Sequence, residues 1–272
     1  MNMLTTLNKV MTGLAKNGRI FSNEQQFQFE LAQELEKEGY EVFLEVASYD
    51  RDVISELKNA LTKAKRKDIK FDKEYTDLIV KKSNDYYAIE LKCKMDDQVC
   101  VYKASNGDVL TLAQGAKDFN AYDFLMDIKR LEHIKSRYFA NAIQKHIKEC
   151  FVIFLTNSSN KYRFNGFNGI WTNYAINEGR TIEGKLLICD KTGNETDTSY
   201  CYSKRTDKNG EIKYTKKEPI MLRDKYKITK ASYGDNGSEG WHDYQLKNYP
   251  AKKNDDSKEP GFSYLILNVK SL

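Results

Sequence analysis

The stretches YTDLIV (75–80) and YYAIELKC (86–93) read as two short strands joined by a tight polar turn through Ser83, Asn84 and Asp85. Side chains alternate across a strand, so Glu90 and Lys92 share one face while Ile89 and Leu91 take the other. The turn lays the first strand alongside the second. Asp77 then becomes a neighbour of Glu90 and Lys92, and two carboxylates and one ammonium converge. A charge inside an apolar strand has to be solvated or partnered. A cross-strand ion pair on a solvated face accounts for Glu90 with Lys92 or Lys94. It leaves unexplained why Asp77 interrupts a run as apolar as Leu78-Ile79-Val80, which favours a functional cluster.

The flanking sequence supplies elements for one mixed sheet. Leu4, Leu7, Met11 and Leu14 fall at helical spacing. Residues 22–38 predict a helix: Ser22 or Asn23 can cap it, Gln25 stands three after Ser22, and Phe27, Leu31 and Leu35 form an inward stripe. Gly39 closes it. YEVFLEV (40–46) predicts a strand, and 51–67 a helix ending in KAKRK. Residues 110–149 read as largely helical, with Tyr122, Leu125, Ile128 and Leu131 on the apolar face. FVIFLTN (151–157), Leu186–Cys189 and FSYLILNV (262–269) predict strands, and Asn209-Gly210 a hairpin. FNGFNGIW (164–171) reads as a turn-rich β region or DNA-contacting loop, and 234–261 as loop interrupted by Trp241 and Tyr244. The order helix, three strands, helix, strand implies α/β or α+β. A core over 1–157 and a β-rich part over 158–272 are expected, as two units or one.

Composition narrows the function. No apolar run approaches the roughly 20 residues that cross a bilayer. The N-terminus lacks a continuous apolar secretory core; its lack of acids through Phe21 would suit an organelle presequence, but a plain helix is the simpler reading. Five cysteines without a CxxC, and three scattered histidines, give neither a disulfide framework nor a zinc site and suit a reducing cytoplasm. The net charge is only +5, yet residues 204–230 hold ten Lys or Arg against four acids. Such a stripe, with Tyr214 and Tyr226 among its cations, can meet phosphates and bases; on charge alone a solvated hairpin is the slightly better explanation. There is no phosphate-binding P-loop, nucleophile elbow or dinucleotide fingerprint.

Two carboxylates with a nearby ammonium suit Mg²⁺, a hard cation that takes oxygen ligands. Such an ion lowers the pKa of its water and polarises a phosphodiester. These residues resemble the PD-(D/E)XK nuclease superfamily, which includes many type II restriction endonucleases. Asp77 in YTDLIV corresponds to the motif's Asp, and Glu90 and Lys92 in AIELKCK to its ExK; Thr76 stands where that motif often has Pro. The likeness covers about residues 22–155. It implies a restriction-endonuclease-like αβββαβ core with a central mixed sheet. Asp77 and Glu90 would hold Mg²⁺, with Mn²⁺ able to substitute, and Lys92 would position or activate the attacking water. Glu24 best matches a further acid on the first helix, Glu30 less well, and Glu45 is another candidate. An acid in a helix's first turn also suits the helix dipole.

The likeness implies a cytoplasmic restriction-type endonuclease acting on DNA, a homodimer if its site is palindromic. Rivals are a repair or phage-type nuclease working on ends or branches, a non-catalytic nucleic-acid-binding or defence-associated protein, and a plain interaction domain. Lys204, Arg205, Lys216 and Lys217 of the basic stripe would contact DNA, as would Gln114, Lys129 and Arg130 of the helical segment. For Lys129 and Arg130 a solvated helix face is the simpler reading, and Asp127, Arg130 and Glu132 are expected to form salt links that fix the helix.

Overall fold

The computed structural model describes residues 2–49, 73–95, 100–103, 109–112, 117–167, 169–187, 201–206, 212–216, 219–231, 237–246 and 262–271. The expected helix at 51–67, Gln114 and Lys217 lie outside them.

Two helices open the chain, α1 (Met3–Lys16) and α2 (Glu24–Lys37). Asn23 caps α2 by accepting from the Gln26 N–H at 2.8 Å, and the Gln26 side chain returns to the Ser22 N–H at 2.9 Å. Of the two expected caps Asn23 is the one used, and the returning side chain is Gln26 rather than Gln25. Past the last turn, Gly39 takes φ +83°, and the N–H groups of Gly39 and Tyr40 return to the Glu36 and Leu35 carbonyls. Glycine is the residue that tolerates this left-handed stop.

Strands β1 (Glu41–Tyr49), β2 (Lys73–Lys82) and β3 (Asp85–Lys94) follow. A short hairpin comes next, β4 (Cys100–Lys103) with β5 (Val109–Leu112). Helix α3 (Lys117–Glu132) leads through β6 (Tyr138–Phe139) to β7 (Ile147–Thr156). Beyond them lie β8 (Thr181–Ile182), β9 (Lys185–Leu186), β10 (Cys201–Thr206), β11 (Ile212–Lys216), β12 (Ile220–Met221), β13 (Tyr226–Lys227), β14 (Gly240–Tyr244) and β15 (Phe262–Val269).

One mixed seven-stranded sheet organises the molecule, in the order β14-β15-β7-β3-β2-β1-β6. Among the described strands of this sheet, β3 and β7 are the pair that run parallel. A parallel pair needs a crossover, and α3 lies in that connection. Alternation sorts the side chains into two cores. Leu78, Val80, Ile89, Leu91, Ile153, Leu155 and Ile266 pack with α1 and α2 on one face. Ile79, Ala88, Val152, Phe154, Leu265 and Leu267 pack with α3 on the other. Helix α3 contributes Phe124, Leu125, Ile128 and Leu131, all fully buried. Each such side chain stabilises the fold by about 1.5–3 kcal/mol. No helix among the described residues is long and apolar enough to cross a membrane.

Three local expectations need correction. The segment 110–149 is not one long helix: β5 precedes α3, and 3₁₀ turns flank β6 before β7 begins. Tyr138 and Phe139 pair with Tyr49 and Ser48 at the sheet edge, so tertiary pairing overrides local helical preference. The region around FNGFNGIW is not β. It forms helical turns over Asn160–Asn165 and Gly169–Tyr174, and buries Phe167, Trp171 and Tyr174 in the α3-side core. Within the expected loop 234–261, β14 forms because Trp241 is buried opposite Leu265 of β15.

Gly240 opens β14 at φ +116°, where a Cβ would sit 2.4 Å from the Thr229 carbonyl oxygen. That oxygen also accepts the Trp241 N–H at 2.8 Å. Gly240→Ala should lower the stability read from urea unfolding by about 1–3 kcal/mol, through strain and displacement of this contact.

Candidate active site

The sheet divides where the charged residues lie. Strand β2 pairs with β3 from Lys82↔Asp85 as far as Leu78↔Ile89 and no further, although both strands continue. Beyond that point β2 stays with β1 as far as Lys73↔Tyr49, and β3 stays with β7 as far as Lys94↔Thr156. The two halves part, and among the described residues no strand pairs with the β2-side edge of β3 beyond Ile89.

The β1–β2 ladder is also irregular there. It passes from Leu44↔Leu78 to Val46↔Thr76, skipping Glu45 and Asp77, and Glu45 takes φ +49°. Phe43 and Val46, three apart, both pack on the α3-side core, so β1 changes face at the skipped position. Gln28 of α2 fills the irregularity, donating to the Asp77 carbonyl at 2.8 Å and to the Glu45 carboxylate at 2.9 Å.

Two carboxylates occupy the open edge. Asp77 Oδ2 accepts the Leu91 N–H at 2.6 Å, and Glu24 Oε2 accepts the Cys93 N–H at 3.2 Å. N–H groups two residues apart on a strand point the same way. Asp77 and Glu24 thus occupy successive positions along β3, where a paired strand would have placed carbonyls. Glu24 arrives from the first turn of α2, so the helix that packs on one face also delivers an acid to the edge.

Glu90 and Lys92 of β3 complete the cluster with two residues of α3. Lys92 Nζ lies 3.4 Å from Glu24 Oε1 and 3.3 Å from Asp127 Oδ2. Glu90 Oε2 lies 3.2 Å from Arg130 Nη2, which also pairs with Asp127 Oδ1. Glu90 and Asp127 are each only 2% exposed. Four carboxylates therefore surround two cations, a deficit of two positive charges if all are ionised.

The titration behaviour follows from this. Burial raises Asp77, against the pull of the Leu91 N–H and Lys92. Glu90 is raised well above the ordinary carboxylate range by burial, with Arg130 opposing and Asp127 and Asp77 adding. Burial pushes Asp127 up to about 7 despite Lys92 and Arg130. For Lys92, burial pulls downward, but Asp127, Glu24, Asp77 and Glu90 outweigh it and keep the ammonium protonated. In this arrangement Lys92 is a proton donor and a fixed positive charge, not a base.

Asp77, Glu90, Lys92 and Glu24 are thus brought together. Glu45 stands at the margin, held by Gln28, and its charge acts on Asp77. Glu30 does not join them: it pairs with Arg19 at 3.2 Å and accepts from Gln26 at 3.2 Å. Arg130 is turned inward rather than lying on a solvated face, and Lys129 is half-buried. Of the basic stripe, Lys204, Arg205 and Lys216 fall on the β10–β11 hairpin, opposite Tyr214, Lys213 and Cys201.

Asp127 makes the expected i,i+3 salt link to Arg130 on the helix and, through Lys92, also belongs to the cluster. Its position held a signal, because residues 124, 127, 128 and 131 form one stripe and an acid there faces the sheet. Glu132 makes no ion pair with Arg130 among the described residues. Its carboxylate accepts the N–H groups of Arg223 and Asp224, at 3.0 Å each, and the Tyr226 hydroxyl at 2.8 Å.

The donor set fits an oxygen-preferring divalent cation. All its candidate ligands are carboxylates, three have raised pKa values, and the charge deficit matches one such ion. Among the described residues no three Asp, Glu, His or Cys side chains form a ready-made cage. The carboxylates are instead turned to Leu91, Cys93, Lys92 and Arg130. No family model, curated protein or solved structure matches the chain.

The raised Asp127 predicts a pH-dependent stability. Between an unfolded value near 4 and about 7 in the folded protein, the native state holds a proton that the unfolded chain has released. Stability from this group therefore falls as pH rises through that window. Asp127→Asn removes the titration, so urea unfolding should show the variant gaining on wild type from pH 5 to pH 8. A flat or falling difference would contradict the raised value.

Proposed function

We propose that the protein is a Mg²⁺-dependent deoxyribonuclease with a restriction-endonuclease-like core, cutting DNA as type II restriction enzymes do. The observation that carries this reading is the parted β2–β3 junction. There Asp77 and Glu24 accept from alternate N–H groups, those of Leu91 and Cys93, on the strand that bears Glu90 and Lys92. The sequence motif alone requires only spacing; the junction adds convergence. The chain runs α2-β1-β2-β3, then β4 and β5, then α3, β6 and β7, so β4, β5 and β6 count as additions to the αβββαβ core that the motif implies.

In this reading Asp77 and Glu90 would hold the metal, and Glu24, whose charge acts on Asp77, would be the further acid. When bound, Mg²⁺ (or Mn²⁺) polarises the scissile phosphodiester and acidifies a water. The chain's own residues do the rest. The Leu91 N–H orients the Asp77 carboxylate by fixing one of its oxygens. Lys92, kept charged by the acids around it, donates to the attacking water or to the oxygen on which charge develops. Burial of Glu90 and Asp127 keeps the site poor in water, which strengthens each of these charges. The basic stripe of residues 204–230 supplies cations for the DNA backbone.

The test is conversion of supercoiled plasmid in Mg²⁺ or Mn²⁺. Wild type should nick or linearise it, and Asp77→Ala and Lys92→Ala should each be slower by at least about a hundredfold. Equal cleavage by all three proteins would overturn the assignment. Degradation of linear DNA with circles left intact would indicate an end-dependent nuclease, and no cleavage of either a binding protein on the same scaffold.

A further inference from the structure

The roles above leave Arg130 unused, although it touches the most buried of the proposed metal ligands. Its Nη2 is shared between Glu90 Oε2, at 3.2 Å, and Asp127 Oδ1. Its Nε is buried without an acceptor among the described residues. A guanidinium is a planar fork whose Nε and Nη2 suit the two oxygens of one carboxylate or phosphate. Here one nitrogen serves two carboxylates and the other serves none, so the fork is only half engaged.

Asp127 shows a matching imbalance. One oxygen holds Arg130, while the buried Oδ2 meets Lys92 Nζ at 3.3 Å, outside good hydrogen-bond geometry, and has no other partner among the described residues. Asp127 therefore ties Lys92 of β3 to α3 and also holds Arg130, its neighbour on the helix. If Arg130 released Glu90, it would still be held by Asp127 from one turn earlier on the helix. If it stayed, its positive charge would lie against the oxygen that a divalent ion needs. Two cations competing for one buried carboxylate oppose each other strongly, because little water screens them.

We infer that Arg130 is an exchangeable counter-ion: it neutralises Glu90 and yields that carboxylate to the divalent cation, with Asp127 as its retained anchor. The competition sets the free-metal concentration at which the site fills. This rests on the metal-dependent reading of the cluster and adds a residue that the Asp–Glu–Lys motif does not include.

Mn²⁺ binding, measured by electron paramagnetic resonance and calorimetry without DNA, tests it. Arg130→Gln removes the competing charge and should bind Mn²⁺ about tenfold more tightly, or better; Arg130→Lys keeps the charge and should stay near wild type. In wild-type protein labelled with ¹⁵N-arginine, adding Mg²⁺ should shift the Arg130 Nε resonance, a readout that does not depend on any variant folding. Unchanged or weaker binding by a folded Arg130→Gln, or an Nε resonance indifferent to saturating Mg²⁺, would overturn the inference while leaving the metal site standing. A wild-type protein that binds no Mn²⁺ would overturn the metal site and the inference together.

Discussion

The candidate site depends on one hydrogen bond that replaces a strand. Where β2 leaves β3, the Leu91 N–H has lost its backbone partner, and a buried N–H without an acceptor costs about 1–3 kcal/mol. Asp77 Oδ2 takes its place at 2.6 Å. Everything around that bond follows from the parting of the strands. Glu24 reaches the Cys93 N–H only because no strand stands in the way. Gln28 reaches the Asp77 carbonyl because the β1–β2 ladder skips that pair. The acids thus have two tasks, closing the open edge of β3 and gathering charge, and the first fixes the geometry of the second.

The site is also built from both sides of the sheet. Helix α2 sends Glu24 and Gln28 from one face, and α3 sends Asp127 and Arg130 from the other. Each helix is anchored well away from the charges. Phe27, Leu31 and Leu35 bury α2, and Phe124, Leu125, Ile128 and Leu131 bury α3. That apolar packing offsets the cost of holding several charges out of water, a cost that ion pairing alone often fails to recover.

How much of this could be read from the chain alone depends on the range of the physics involved. Alternation is local, so the shared face of Glu90 and Lys92 followed from their spacing. The adjacency of Asp77 followed from the short turn at Ser83. The parting of the strands had no local signal, since Glu45 at φ +49° is not a residue that announces a left-handed backbone. Arg130 and Asp127 resembled an ordinary surface pair because their neighbours Lys129 and Glu132 are charged too. Only the stripe through 124, 127, 128 and 131 separates inside from outside. The helix expected over 110–149 failed for a related reason: Phe139 is held by β1, which precedes it by some ninety residues and is invisible to a local window.

The place of β15 bears on how the protein comes into being. This strand lies inside the sheet, between β14 and β7, yet it is made long after β7. During synthesis the edge of β7, with the run Phe151-Val152-Ile153-Phe154-Leu155, has no neighbour on that side until Phe262–Val269 emerges. An unpaired apolar edge of this kind invites pairing with other chains. The delay leaves this edge of β7 exposed to other chains while the residues between β7 and β15 are being made.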